Sequence, residues 1–217
     1  TNNIEADNPL KGSANNSDKV VEYNRPEGQW KLIGCVLPTD SFQELSQYAQ
    51  FQFKYFGAEI NEFYFHFTKP DGSKISEPTI SVEGENCWKL FTYDLSTSDS
   101  LKQFNIFVNA RETASFDCYF DDFKLVTEAA VPYDDITLSD GYIEITAGGQ
   151  YQISASPEGN PFSFVSSDPD VAFVDQDGNI TAKGAGETTI KAVPLYGKSA
   201  ECTVKVTGGC PPVSIPD

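Results

Sequence analysis

Apolar and polar side chains alternate along this chain with a period of two, the spacing that sends successive residues to opposite faces of a β-strand. In the stretch NEFYFHFT, Phe63, Phe65 and Phe67 fall on one face, and Glu62, Tyr64, His66 and Thr68 on the other. FQFKYF sets Phe51, Phe53 and Tyr55 against Gln52, Lys54 and Phe56. FNIFVNAR sets Phe104, Ile106, Val108 and Ala110 against Asn105, Phe107, Asn109 and Arg111. Turn signals such as Pro70-Asp71-Gly72 and Asp177-Gly178-Asn179 separate the runs at short intervals. The pattern predicts an all-β chain. A single helical candidate, Ser41 to Gln50, has Ser41 placed to cap a turn that carries Leu45 and Tyr48 on one side.

A shift in composition divides the chain. Residues 1–128 hold both Trp and most of the Phe, whereas residues from about 133 are richer in Thr, Ala, Gly and Val. Thr127 to Pro132 reads as a short linker, because proline cannot donate to a continuing strand ladder, and the border falls near Ala130. The organisation predicted is a first β module over 1–128, a smaller one over 133–207, and a Pro/Gly-rich tail over 208–217.

Composition narrows the chemistry. Fifteen Lys plus Arg against 32 Asp plus Glu leave a formal charge of −17 across 217 residues, a balance that repels phosphate backbones and anionic lipid. No apolar run approaches the ~18 residues of a membrane-spanning helix. The absence of Met, position 1 included, points to a processed or trimmed chain. With one His, at position 66, any mechanism needing two imidazoles is excluded. No GxSxG, P-loop, HExxH or GxGxxG occurs. Cys35, Cys87, Cys118, Cys202 and Cys210 form no CxxC pair and no zinc-like spacing, and the first four sit in apolar, strand-like stretches, so they read as buried reduced thiols. With so many carboxylates, no acidic pair stands out as a glycosidase couple.

The stretch from Ser166 to Ala192, SSDPDVAFVDQDGNITAKGAGETTIKA, closely resembles the bacterial Ig-like domain of group 2. Ile136 to Ser139, Gly148 to Ala155 and Ala200 to Val206 extend the resemblance over most of the second module. Phe164 stands where that family usually has a Trp and keeps an aromatic in the core. The resemblance implies a small β-sandwich that serves as a spacer or adhesive arm on secreted and surface proteins. Asp168, Asp170, Asp175 and Asp177 read as turn chemistry rather than a calcium loop.

The first module bears a looser resemblance to galactose-binding-like jelly rolls, the group that includes many carbohydrate-binding modules. It rests on Asn8-Pro9 with Asn15 to Val20, on Trp88 to Ser96, and on Tyr119 to Leu125. In those relatives an Asp of the closing strand often helps to hold a structural calcium, which puts forward Asp121 and then Asp122 as ligands. The opening acidic strand of the pattern is reduced here to Ile4-Glu5-Ala6-Asp7. The resemblance also assigns Trp88 to the core. A sugar site needs an aromatic face for C–H surfaces with amides, imidazole or cations for hydroxyls. Tyr64, His66, Asn105, Phe107, Asn109 and Arg111, with Trp30 beside a polar turn, supply those parts, unless a second layer or the loop from Gly34 to Gln50 covers them.

The expectation is a non-catalytic pair of β-sandwiches from a secreted or surface-displayed bacterial protein, a monomeric part of a larger multidomain chain. Its jelly roll binds a poly- or oligosaccharide and its Ig-like module acts as a spacer. The alternative is a purely structural or adhesive pair with no sugar site.

Overall fold

The computed structural model describes residues 3–27, 31–110 and 114–208. The chain divides into two compact units, Thr1–Leu10 with Ser17–Val131, and Lys11–Asn16 with Pro132–Asp217. All regular structure among the described residues is strand, apart from one 3-10 turn at Leu45–Gln47.

The first unit holds β1 (Asn3–Asp7), β2 (Lys19–Arg25), β3 (Ile33–Val36), β4 (Gln43–Glu44), β5 (Gln50–Phe56), β6 (Glu62–Thr68), β7 (Lys74–Ser76), β8 (Thr79–Ser81), β9 (Lys89–Asp94), β10 (Ser100–Leu101), β11 (Gln103–Val108) and β12 (Phe116–Val126). One antiparallel sheet runs β1-β2-β12-β5-β9, and the other runs β3-β11-β6-β7 with β8 also on β6. The two sheets stack as a jelly-roll sandwich.

What joins the sheets is the inward face that the alternation predicts. Phe51, Phe53 and Tyr55 project from β5 towards Phe63, Phe65 and Phe67 of β6, and all six are buried. Phe53 is at the centre, with ring centroids 4.7 Å from Phe91, 5.2 Å from Phe123, 5.3 Å from Phe63 and 5.8 Å from Phe120. In β12 the ladder with β5 slips between Asp121 and Lys124, where Asp122 takes φ 54°. One extra residue reverses the parity of the strand, so Phe123 and Leu125 continue the inward row after Phe120.

Three expectations meet corrections or refinements here. Ser41 to Gln50 forms no α-helix: Gln43 and Glu44 pair with β10, the Ser100 hydroxyl donates to Glu44 Oε1 at 2.8 Å, and Leu45 is drawn into the core. Tertiary pairing outweighs the weak local preference. Trp88 is fully buried, but it packs on Phe56, 5.7 Å away, outside the central cluster, and its indole N–H donates to Asn8 Oδ1 at 2.9 Å. Cys87, Cys118 and Cys202 are buried, and burial pushes the Cys118 thiol well above the ordinary range. Cys35 is instead exposed, because β3 is an edge strand; Cys210 lies outside the described residues.

The second unit holds β13 (Thr137–Leu138), β14 (Tyr142–Thr146), β15 (Gln150–Gln152), β16 (Ala155–Ser156), β17 (Phe162–Ser166), β18 (Ala172–Val174), β19 (Asn179–Ala182), β20 (Gly186–Pro194) and β21 (Ala200–Thr207). A four-stranded sheet, β14-β21-β20-β17, has β14 parallel to β21, and β15-β19-β18 forms a second sheet. Phe164, Ile153, Ile180, Ile190, Cys202 and Val204 fill the space between them. Asp175 caps the β18–β19 hairpin. One of its oxygens accepts from the Asp177 and Asn179 N–H groups at 3.0 and 2.8 Å, and the other accepts from Asn179 Nδ2 at 2.8 Å. Gly178 completes the turn at φ 83°, where a Cβ would meet the Ile153 carbonyl oxygen at 2.2 Å.

Phe53→Ala removes the ring that touches both sheets, and it is expected to lower unfolding stability by about 3–5 kcal/mol in urea denaturation. A loss under about 1 kcal/mol contradicts this packing account.

Candidate functional site

The residues opposite the core on the second sheet form one outward surface across β3, β11, β6 and β8. Strand register aligns them in rows: Val36, Gln103 and Thr68; then Gly34, Asn105 and His66; then Phe107, Tyr64 and Thr79. Tyr64, His66 and Phe107 form a triangle of rings with centroids 4.8, 5.1 and 5.8 Å apart. All three side chains are half-buried, and among the described residues no second layer closes over them. Such clusters of rings on an outer sheet face are uncommon where solvent alone is the neighbour.

Polar groups border the rings. Gln103 Nε2 donates to Asn105 Oδ1 at 3.0 Å, which leaves the Asn105 amide nitrogen as a donor towards the surface. Gly34 lets β3 run against that amide, since a Cβ there would lie 2.4 Å from Asn105 Oδ1. His66 Nε2 lies 3.3 Å from Glu77 Oε1, close enough for an ion pair but misaligned for a hydrogen bond. Glu77 also accepts from Lys74 Nζ at 2.8 Å, and that bond and charge hold its carboxyl below the usual carboxylate range. Glu62 Oε1, on the same face as Tyr64, is shielded from solvent and makes no hydrogen bond among the described residues. Among the described residues, two polar atoms on this face, both closed off from solvent, thus lack a hydrogen bond.

Tyr64, His66, Asn105 and Phe107 come together as the alternation predicts. Asn109 does not join them and corrects the expected face. The strand ends at Val108, and Asn109 turns inward at φ 45°, only 2% exposed. Its Oδ1 accepts from the Asn61 and Glu62 N–H groups at 2.9 and 3.2 Å, and its Nδ2 donates to the Glu59 carbonyl at 2.6 Å. Buried Arg25 donates to the Asn109 carbonyl at 2.6 Å and lies over the Phe116 ring, so Asn109 is a structural tie between loops. Trp30 and Arg111 lie outside the described residues.

Asp121 and Asp122 occupy the β12 bulge. The Asp121 carboxylate accepts from the Asp122 N–H at 2.9 Å, and Asp122 pairs with Lys54 at 2.9 Å. Among the described residues no three His, Cys, Asp or Glu side chains are grouped to hold a metal ion. Two carboxylates, one of them ion-paired with an ammonium, supply by themselves only part of the roughly six to eight oxygens that calcium takes. Sequence reasoning missed Gln103, Glu62, Glu77 and Gly34. Gln103 shares the parity of Asn105 and was open to detection, whereas Glu77 arrives through a β7–β8 turn that carries no periodic signal.

Residues 146–194 match the family model of the intimin immunoglobulin-like domain. The second unit carries an Ig-like domain. The chain is also similar to solved structures. One is a point mutant of the family 29 carbohydrate-binding module CBM29-2, at 9% identity and TM-score 0.39, covering 50% of this chain and 71% of that one. Another is the family 11 carbohydrate-binding module of a Clostridium thermocellum cellulosomal cellulase, at 12% identity and TM-score 0.42, covering 52% and 77%. A third is the Endo-D glycoside hydrolase domain from Streptococcus pneumoniae R6, at 10% identity and TM-score 0.42, covering 88% of this chain and 34% of that one. No curated protein sequence matches the chain.

Asn109→Ala leaves backbone N–H groups of the β6 approach without an acceptor. It is expected to cost about 2–3 kcal/mol in urea denaturation; unchanged stability contradicts the role given to this side chain.

Proposed function

We propose that the first unit is a carbohydrate-binding module whose sugar site is the outer face of the β3-β11-β6-β8 sheet, on a secreted or surface-displayed protein. The observation that carries this reading is the triangle of Tyr64, His66 and Phe107. Half-exposed rings on a rigid sheet offer apolar surface to the C–H faces of a pyranose, while Asn105 and Gln103 address its hydroxyls. The rigid strands hold the rings in place before the ligand arrives, which limits the entropy lost on binding. Binding at one such shallow face is weak and gains strength by repetition along a polymer. The Ig-like domain then acts as a spacer, and the chain recognises sugar without transforming it.

Affinity electrophoresis against a panel of soluble plant and host polysaccharides tests the reading. At least one polymer is expected to retard the protein, and Tyr64→Ala or Phe107→Ala is expected to weaken the interaction about tenfold or more. Retardation that survives both substitutions, or silence across the panel, contradicts the assignment. Hydrolysis of a polymer contradicts its non-catalytic character.

A further inference from the structure

The strands that end the two sheets of the first unit differ in what they show along their edges. β1 carries Glu5 and Asp7, β7 carries Lys74, and β9 carries Lys89 and Asp94, charges that deter pairing with another strand. β3 carries none, and the run from Leu32 to Thr39 holds no charged residue at all. Among the described residues of this unit, Leu32, Val36 and Phe42 are three of the four exposed large apolar side chains, and Val36 is 61% exposed. In a chain with a formal charge of −17, such an edge is a place where two copies meet with little local repulsion.

Ladder parity decides which backbone groups this edge offers. The Leu37 N–H donates to the Lys102 carbonyl at 3.0 Å, and the antiparallel register sets Cys35 opposite Phe104 and Ile33 opposite Ile106. Alternate residues of a strand address alternate neighbours, so Ile33, Cys35 and Leu37 bond to β11, while the N–H and C=O groups of Gly34 and Val36 point away from it. Side chains alternate between the faces: Gly34 and Val36 share the outer face with Asn105 and Gln103, and Cys35 shares the inner face with Phe104. Gly34, Cys35 and Val36 are all exposed.

We infer that β3 pairs antiparallel with β3 of a second copy of this chain, about a two-fold axis at Cys35. With the axis there, Gly34 of each copy meets Val36 of the other, and each such pair exchanges the N–H···O bonds that β11 leaves unused. Val36 then lies beside a residue with no side chain, and Gly34 has no room for one, because a Cβ would stand 2.4 Å from Asn105 Oδ1. Cys35 faces its own copy across the axis as a non-hydrogen-bonded pair, with Cα atoms about 4.5 Å apart, inside the range that a disulfide spans. The Lys31 end of one strand runs beside the Asp40 end of the other, so opposite charges flank the uncharged run. An axis at Gly34 would set glycine on glycine, and an axis at Val36 would bring Pro38, which has no N–H, opposite Gly34.

The joined sheets share one outer face, which places the two β6 strands, five strand spacings apart, at roughly 24 Å. Pairing needs no sugar, so this inference is independent of the carbohydrate reading.

Sedimentation velocity of the whole chain under reducing conditions, from about 5 to 500 µM, is expected to show a weak, concentration-dependent dimer, as suits a small edge contact. Val36→Lys, at an exposed position, is expected to weaken association about tenfold or more. Diamide tests the register in a Cys210→Ser background: it takes one hydrogen from each of two thiols, becoming its hydrazine as the disulfide forms. The expected product is Cys35 linked to Cys35, read as a disulfide-joined peptide pair by mass spectrometry. A monomer throughout the range, or a dimer indifferent to Val36→Lys, overturns the pairing. A dimer that diamide does not link at Cys35 overturns the register. The Cys35 readout needs no change in β3, so it decides the matter should Val36→Lys fail to fold.

Discussion

The contact between Phe53 and the rings around it is the constraint on which the first unit depends. Two sheets can face each other only if every strand between them commits alternate residues to a common interior. Once Phe63, Phe65 and Phe67 are committed, Glu62, Tyr64, His66 and Thr68 must point outward. The core and the platform are thus two faces of one strand. A slip by a single residue would bury the platform and expose the core, so the packing energy that fixes the sandwich also fixes the site.

The places where alternation breaks are as informative as those where it holds. At Asp122 an extra residue re-phases β12, and the inward row resumes with Phe123. That correction keeps the inward aromatic row continuous towards the end of β12. At Asn109 the strand ends in a left-handed residue whose amide ties three backbone groups of the loop before β6. The tie secures the end of β11 nearest Phe107, so the rings rest on two interior strands that are braced where β11 ends and β6 begins.

Most strands and both sandwich units were legible in the sequence, because periodicity reports which face each residue takes. Phe63 against Tyr64 and Ile106 against Phe107 are direct readings of that kind. The Ig-like unit was legible through its turns, where the Asp175 cap and Gly178 leave a recognisable local pattern. What escaped depends on long-range geometry. Asn109 carries the parity of a surface residue, and only a positive φ at the strand end turns it inward. Ser41 to Gln50 has weak helical spacing, yet pairing with β10 decides its conformation. Cys35 sits in an apolar run but lies on an edge strand, and strand order is not written in local sequence. Glu77 reaches His66 from a different part of the chain, and no pattern within β6 announces it.

The central claim is that the outward face of β6 and β11 recognises carbohydrate. Its most direct test is an NMR titration of the 15N-labelled chain with oligosaccharides prepared from any polymer that retards it. The account predicts amide shifts concentrated at Tyr64, His66, Asn105 and Phe107, with the Ig-like unit unaffected. Shifts centred on the β1-β2-β12-β5-β9 sheet, or on the Ig-like unit, would contradict it.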